Sequence, residues 1–159
     1  MKGKNAPFDT FRATLGDGLK HVELELEAAA VARLYAYFVE LKKWSARVNL
    51  IARGSSDNQI IEAHFLDSLT MLPMLPEQNG HLLDIGTGAG FPGLVVKAAL
   101  PELKVTLVEP RLKRVTFLKH IVRTLKLNDV DVLACRAEDH TMLPADRGFT
   151  HVTSRAVTD

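Results

Sequence analysis

Residues 81–93, His-Leu-Leu-Asp-Ile-Gly-Thr-Gly-Ala-Gly-Phe-Pro-Gly, hold four of the chain's ten glycines and its most informative acid. His81 to Ile85 is short, apolar and closed by glycine, the pattern of a buried strand. Gly86, Gly88 and Gly90 follow at alternate positions, and residues without a Cβ let a ligand lie against bare backbone. Phe91, Pro92 and Gly93 open an apolar run that reads as helix, and Pro92 suits a first turn, where its missing N–H is not needed. Strand, glycine loop and helix N-terminus together aim free N–H groups and a positive dipole end at a ligand. Gly88-Ala-Gly90-Phe-Pro-Gly93 satisfies the dinucleotide spacing G-x-G-x-x-G, by itself a weak signal. Asp84, two residues ahead of the first glycine, sharpens it. A carboxylate there repels a pyrophosphate but suits a cationic group. S-adenosylmethionine offers one, having an ammonium, a sulfonium and no phosphate. The competing reading is a tight strand-to-helix turn with Asp84 as its local cap.

Glu109 is the second chemical signal. It ends the next apolar strand, Lys104 to Val108. In doubly wound sheets an acid at this strand end accepts hydrogen bonds from ribose hydroxyls, and a bidentate carboxylate matches a vicinal diol. The alternative is an exposed carboxylate at a strand terminus. Residues 111–126 read as a helix with Leu112, Val115, Leu118, Val122 and Leu125 inward. This helix carries Arg111, Lys113, Arg114, Lys119, Arg123 and Lys126 and no acid. Such a face could contact phosphates, although a solvated cationic surface is the plainer explanation.

The elements that must position these groups follow from pattern. The chain has 159 residues, 47% hydrophobic and 25% charged, with a net charge of +1, so it can build a sizeable core and bulk charge does not announce nucleic-acid binding. Cys135 is its only cysteine, which excludes an internal disulfide and points to a reducing, cytoplasmic setting. No signal peptide, membrane-length apolar run or internal repeat is visible. Residues 1–21 read as an irregular lead-in that Phe8 and Phe11 could dock. Residues 22–48 read as a long helix, with Leu24, Ala28, Val31, Leu34, Tyr35, Phe38, Leu41 and Val48 on its apolar stripe and Trp44 beside it. A second helix spans 58–72, where His64, Asp67 and Ser68 share one side; spacing alone reads them as a local hydrogen-bond cluster. Pro73 and Pro76 end that helix and mark the boundary between a helical segment, 1–75, and an α/β domain, 76–159. A third strand over 131–135 and a fourth over 150–157 complete the alternation, which predicts a parallel sheet with right-handed crossovers. The lone cysteine and scattered histidines show no zinc-ligand spacing, so no metal is expected.

Four motifs come in one order: Lys43-Trp44-Ser-Ala-Arg-Val-Asn49-Leu50, His64-Phe-Leu-Asp67-Ser68, Asp84-Ile-Gly-Thr-Gly-Ala-Gly-Phe-Pro-Gly93 and Ser154-Arg155-Ala156. The series, within residues 30–157, resembles the bacterial glucose-inhibited division protein B family of class I S-adenosylmethionine-dependent methyltransferases. These methylate N7 of a guanine in small-subunit (16S) ribosomal RNA. The resemblance implies a Rossmann-like sheet of about four parallel strands after an N-terminal helical segment. It also implies S-adenosylmethionine as cofactor and 16S ribosomal RNA or the small ribosomal subunit as partner, with no membrane. Gly86 and Phe91 would line the methionine and adenosine portions of the cofactor, Glu109 would hold the ribose, and Ala137 and Glu138 would flank the adenine. Arg155 would face the reacting end, and Arg136 falls where the family often has an arginine near the site; these two are the candidate catalytic residues. Asn49, His64, Asp67 and Ser68 match signatures whose faces close over the pocket on the substrate side. Family members continue beyond the position of Asp159, so the expectation is a partial sheet with an open edge and a mostly present cofactor half.

Guanine N7 has a lone pair in the neutral base, so the implied reaction needs no obligatory general base. Three other readings stay open. One is a domain that binds S-adenosylmethionine or its product and transfers nothing. Another is a nicotinamide-dependent oxidoreductase using G-x-G-x-x-G, against which Asp84 and the helical lead-in argue. The third is a small-molecule methyltransferase.

Overall fold

A computed structural model describes residues 6–75, 79–143 and 148–155. The first departure from expectation is at the N-terminus. The lead-in is a regular helix, α1 (Ala6–His21), in which Phe11 and Leu15 are 1% exposed and Leu19 is also buried. Phe8, Phe11, Leu15 and Leu19 recur at helical spacing, and this apolar stripe outweighs Gly16 and Gly18. Gly18 serves close packing, because a Cβ there would stand 2.5 Å from the Leu66 side chain.

The long second helix is shorter than the pattern implied. Residues 22–27 form a connector, with Glu23 left-handed at φ 54°, and α2 runs Ala28–Ser45. Val48 therefore falls in the loop that follows. Ser56 and Gln59 form a reciprocal capping box that starts α3 (Asp57–Ile60). The helix continues as a π-helical segment, Ile61–Leu66, and then as α4 (Asp67–Leu69). Pro73 lies in a short 3-10 turn, Leu72–Met74, while Pro76 lies outside the described residues.

Four strands, β1 (His81–Ile85), β2 (Lys104–Val108), β3 (Val130–Leu133) and β4 (His151–Ser154), form one sheet in the order β3-β2-β1-β4. Every pairing is parallel, as the alternation predicted. The crossovers carry α5 (Gly93–Ala99) and α6 (Leu112–Thr124). Two boundaries move inward. The third strand stops at Leu133, leaving Cys135 buried beyond its end, and the fourth stops at Ser154, with positions 156 and 157 outside the described residues. Leu112 is 71% exposed rather than inward, because α6 begins there and its buried stripe is Val115, Phe117, Leu118 and Ile121.

One buried cluster joins α1, α2, the π-helical segment, α5, α6 and one face of the sheet. Leu83, Val108, Cys135 and Leu143 form a smaller cluster apart from it. No helix of the described residues is long and apolar enough to cross a membrane. Chain order steps outward from β1 to β2 to β3 and then returns to the other side of β1 for β4. The reversal makes the C-terminal ends of β1 and β4 the topological switch point, where open α/β sheets bind ligands.

Phe11 packs on the rings of Tyr35, Phe38 and Phe65. Phe11→Ala is expected to cost about 3–5 kcal/mol in urea unfolding. An unchanged midpoint would show that α1 is not part of the cooperative core.

Candidate active site

The loop from Gly86 to Gly93 leaves β1 at the switch point. Gly86 and Thr87 donate their N–H groups to the Val108 carbonyl, at 2.9 and 3.1 Å, which fixes the loop to the end of β2. Gly88 has φ +60°, and the space where its Cβ would stand meets only Arg114 Nη1 at 3.8 Å and Gly86 O at 4.0 Å. Its outer face is thus bare backbone. Gly90 is small for the opposite reason. A Cβ there would collide with the Tyr37 hydroxyl.

Asp84 lies fully buried behind this loop. Its Oδ2 accepts from Thr87 Oγ1 at 2.5 Å and from the Gly93 N–H at 2.8 Å. Oδ1 is buried without a hydrogen-bond partner among the described residues. Burial pushes the carboxyl up to about 7, against the opposing pull of the Thr87 and Gly93 bonds. The structure therefore gives Asp84 the capping contacts of the plainer sequence reading and leaves one oxygen over.

Glu109 follows β2 and is 2% exposed. Its Oε2 accepts from the Gly88 N–H at 3.0 Å and its Oε1 from the Arg111 N–H at 2.9 Å. Arg114 Nη1 is 3.8 Å from Oε2, and Arg114 Nη2 donates to the Asn49 carbonyl at 3.2 Å. A carboxylate has about four lone-pair sites, so two amides leave acceptor capacity for two hydroxyl donors.

On the other side of the loop, Arg155 follows β4. Its Nη1 donates to the Ala63 carbonyl at 3.2 Å and to Asp67 Oδ2 at 3.0 Å, and its Nη2 donates to His64 Nδ1 at 3.1 Å. The guanidinium lies 5.4 Å from the centre of the Phe91 ring. Phe91 stacks near-parallel with both His64, at 4.8 Å between centroids, and Tyr37, at 5.8 Å. Burial, and then the Arg155 charge, hold the His64 imidazole below its usual range. A neutral ring with a free Nδ1 lone pair is what accepting from Arg155 requires.

The fold thus gathers His64, Asp67, Phe91 and Arg155 into one cluster, and Asp84, Gly86, Gly88, Gly90 and Glu109 into another beside it. Asn49 joins the second through Arg114. Ser68 turns inward, 1% exposed, with its hydroxyl donating to the His64 carbonyl at 2.5 Å. It braces the π-helical segment from inside. Arg136, Ala137 and Glu138 lie on the turn after β3, with Arg136 and Glu138 exposed. Among the described residues no group of three or more His, Cys, Asp or Glu is placed to hold a metal ion.

Three supporting residues escaped the sequence reading. Tyr37, fully buried, donates its hydroxyl to the Ala89 carbonyl and props the glycine loop. It stands between Leu34 and Leu41 at helical spacing, a signal that the nearby Tyr35 on the same helix shares. Thr87 holds Asp84. Arg114, in sequence one cation of a basic face, bridges Glu109 and the Asn49 carbonyl.

Asp84 makes stability depend on pH. Its carboxyl is raised in the folded state, so its contribution is full below about pH 4 and is lost as pH rises through about 7. Asp84→Asn retains an acceptor for Thr87 and Gly93 and removes the ionisation. Relative to the parent, the variant should gain roughly 4 kcal/mol between pH 4 and pH 8 in denaturant titrations. A constant difference across that range would contradict the raised value.

The chain matches the family described as rRNA small subunit methyltransferase G over residues 30–159. Ribosomal RNA small subunit methyltransferase G of Desulfotalea psychrophila is 56% identical over 149 residues, covering 94% of this chain and 68% of the relative. The protein so described in Syntrophus aciditrophicus is 48% identical over 132 residues, covering 82% of this chain and 55% of the relative. That of Roseiflexus sp. is 42% identical over 137 residues, covering 86% and 58%. The chain spans roughly half to two thirds of the length of the curated relatives it matches. The matched stretch takes in the glycine loop at the switch point, Glu109 and the Arg155 cluster, and by that match the chain belongs to the rRNA small subunit methyltransferase G family.

Proposed function

We propose that this chain binds S-adenosylmethionine across the C-terminal ends of β1 and β2, and that it serves methylation of a guanine N7 in small-subunit ribosomal RNA. The observation that carries the reading is Glu109, which accepts from the Gly88 N–H at 3.0 Å and has acceptor capacity to spare. Family membership supports the substrate.

The residues present fit this cofactor. Gly88 offers a surface that a side chain would fill. The unpartnered Asp84 Oδ1 lies behind the loop, so a cationic ligand in front of it would favour the ionised carboxylate through the low-dielectric gap. A diphosphate in that place would raise its cost. When bound, S-adenosylmethionine supplies an activated methyl group.

The chain's own contribution is positioning. Glu109 grips a diol and the Gly86–Gly93 loop cradles the nucleoside. Phe91 does its work from inside, stacked with Tyr37 and His64, under the Arg155 guanidinium, and 4% exposed. Arg155, Asp67 and His64 fix the ends of β4 and the π-helical segment at the place where a purine edge must arrive. Arg136, Ala137 and Glu138 flank the adenine side. Guanine N7 presents its lone pair without deprotonation, so none of these residues has to act as a base. Holding two reactants in line can supply roughly 7–11 kcal/mol of rate acceleration.

Glu109→Ala should weaken S-adenosylmethionine binding about tenfold to a hundredfold in calorimetry, the range for hydrogen bonds to a charged group. Gly88→Val should abolish it, since a β-branched residue is strained at φ +60° and blocks the cradle. Parental affinity in both variants would end this reading, and preferential binding of NAD would replace it with an oxidoreductase.

Transfer is tested with labelled cofactor and small ribosomal subunits. Arg155→Ala should lose most of the transfer at saturating cofactor. Unchanged transfer would remove Arg155 from the site, and binding without transfer by the parent would make the chain a cofactor-holding domain alone.

A further inference from the structure

The loop between α2 and α3 carries a feature that cofactor binding leaves unused. Ser45, Ala46, Arg47, Val48, Asn49 and Arg53 line a hollow of about 270 Å³. Arg47, Asn49 and Arg53 are exposed, and neither arginine forms a salt bridge to a carboxylate among the described residues. Residues 46–56 contain no acid at all, and Asp57 just beyond is engaged by Lys42 at 2.5 Å. Two guanidiniums sharing a concave, acid-free surface repel each other unless an anion lies between them.

The loop is also tied to the active site. Arg114 reaches from α6 to the Asn49 carbonyl with one nitrogen and stands 3.8 Å from Glu109 with the other. Arg111 and Lys113 lie beside Arg114 at the start of α6 and are exposed. Glu109 beside them is buried, so the exposed charges at the start of α6 are cations.

We propose that the hollow lined by Arg47, Asn49 and Arg53 binds a backbone phosphate of the RNA, and that Arg114 couples this subsite to the cofactor loop. The inference rests on the reading of the substrate as RNA. The planar guanidinium fork matches phosphate oxygens bidentately, and the Asn49 side chain adds a neutral donor. The contact positions the strand and carries no base information.

The test is fluorescence anisotropy of a labelled single-stranded 20-nucleotide RNA, titrated with the full chain from 50 to 200 mM NaCl. The double variant Arg47→Ala/Arg53→Ala should weaken binding about tenfold at 100 mM. It should also reduce the slope of log K against log salt by about 0.7–1.4, the value for one or two released counterions on a single strand. Arg47→Lys/Arg53→Lys should keep the slope and lose part of the affinity. Lys119→Ala/Arg123→Ala, farther along α6, should stay near the parent. Parental affinity and slope in the Arg47/Arg53 variant would overturn the proposal. So would an equal loss in the Lys119/Arg123 variant, since binding would then come from a diffuse field. Calorimetry of S-adenosylmethionine with the same proteins separates the two readings. A parent that binds RNA through the hollow but ignores the cofactor would fail the functional reading and leave the phosphate subsite standing.

Discussion

The site depends on one buried carboxylate. Asp84 sits near the C-terminal end of β1, a central strand of the sheet, opposite Leu107 on one side and Thr153 on the other. Desolvating it is costly, and among the described residues two hydrogen bonds and, more weakly, the Arg155 charge offset that cost. Those two bonds reach Thr87 at the start of the turn and Gly93 at the start of α5. The acid therefore sets the span of the glycine loop, and every other group at the switch point is placed relative to that span. A neutral side chain could tie the same knot more cheaply. The cationic ligand proposed above would bring the balancing charge.

The helical segment is the second half of the device. Tyr37 on α2 fixes the Ala89 carbonyl, and its ring stacks on Phe91, which in turn stacks on His64. A column of three rings thus runs from the long helix through the loop to the π-helical segment. Widening of the helix over Ile61–Leu66 falls where His64 must meet both Phe91 and Arg155. π-helical turns are rare and collect at functional sites, and here the turn has a visible geometric consequence. Arg155 closes the circuit by binding Ala63, Asp67 and His64 from the end of β4. Movement of the helical segment would shift the glycine loop and Arg155 together.

On the other flank, Arg114 joins Glu109 to the loop after α2. The two flanks have different chemistry. The Arg155 side is aromatic and internally paired, whereas the Arg47–Arg53 side is open and cationic.

The residues by themselves determined the parallel sheet, the strand at Lys104–Val108, the glycine loop and the acid at its neighbour's end. These are local features, written in periodicity and in glycines that take the positive φ other residues avoid. They also determined that His64 and Asp67 would cluster, because helical spacing alone brings them together. What spacing could not decide was their partner, since Arg155 lies 91 residues from His64 along the chain. Nor could it decide that Ser68 turns inward, that α1 is a docked helix despite its glycines, or that Leu112 faces solvent. Each depends on which surface arrives opposite, and burial overrides intrinsic propensity there. The state of Asp84 belongs to the same class: the sequence placed an acid before the glycines, and only the packed loop above it removed the water that would have kept it an ordinary carboxylate.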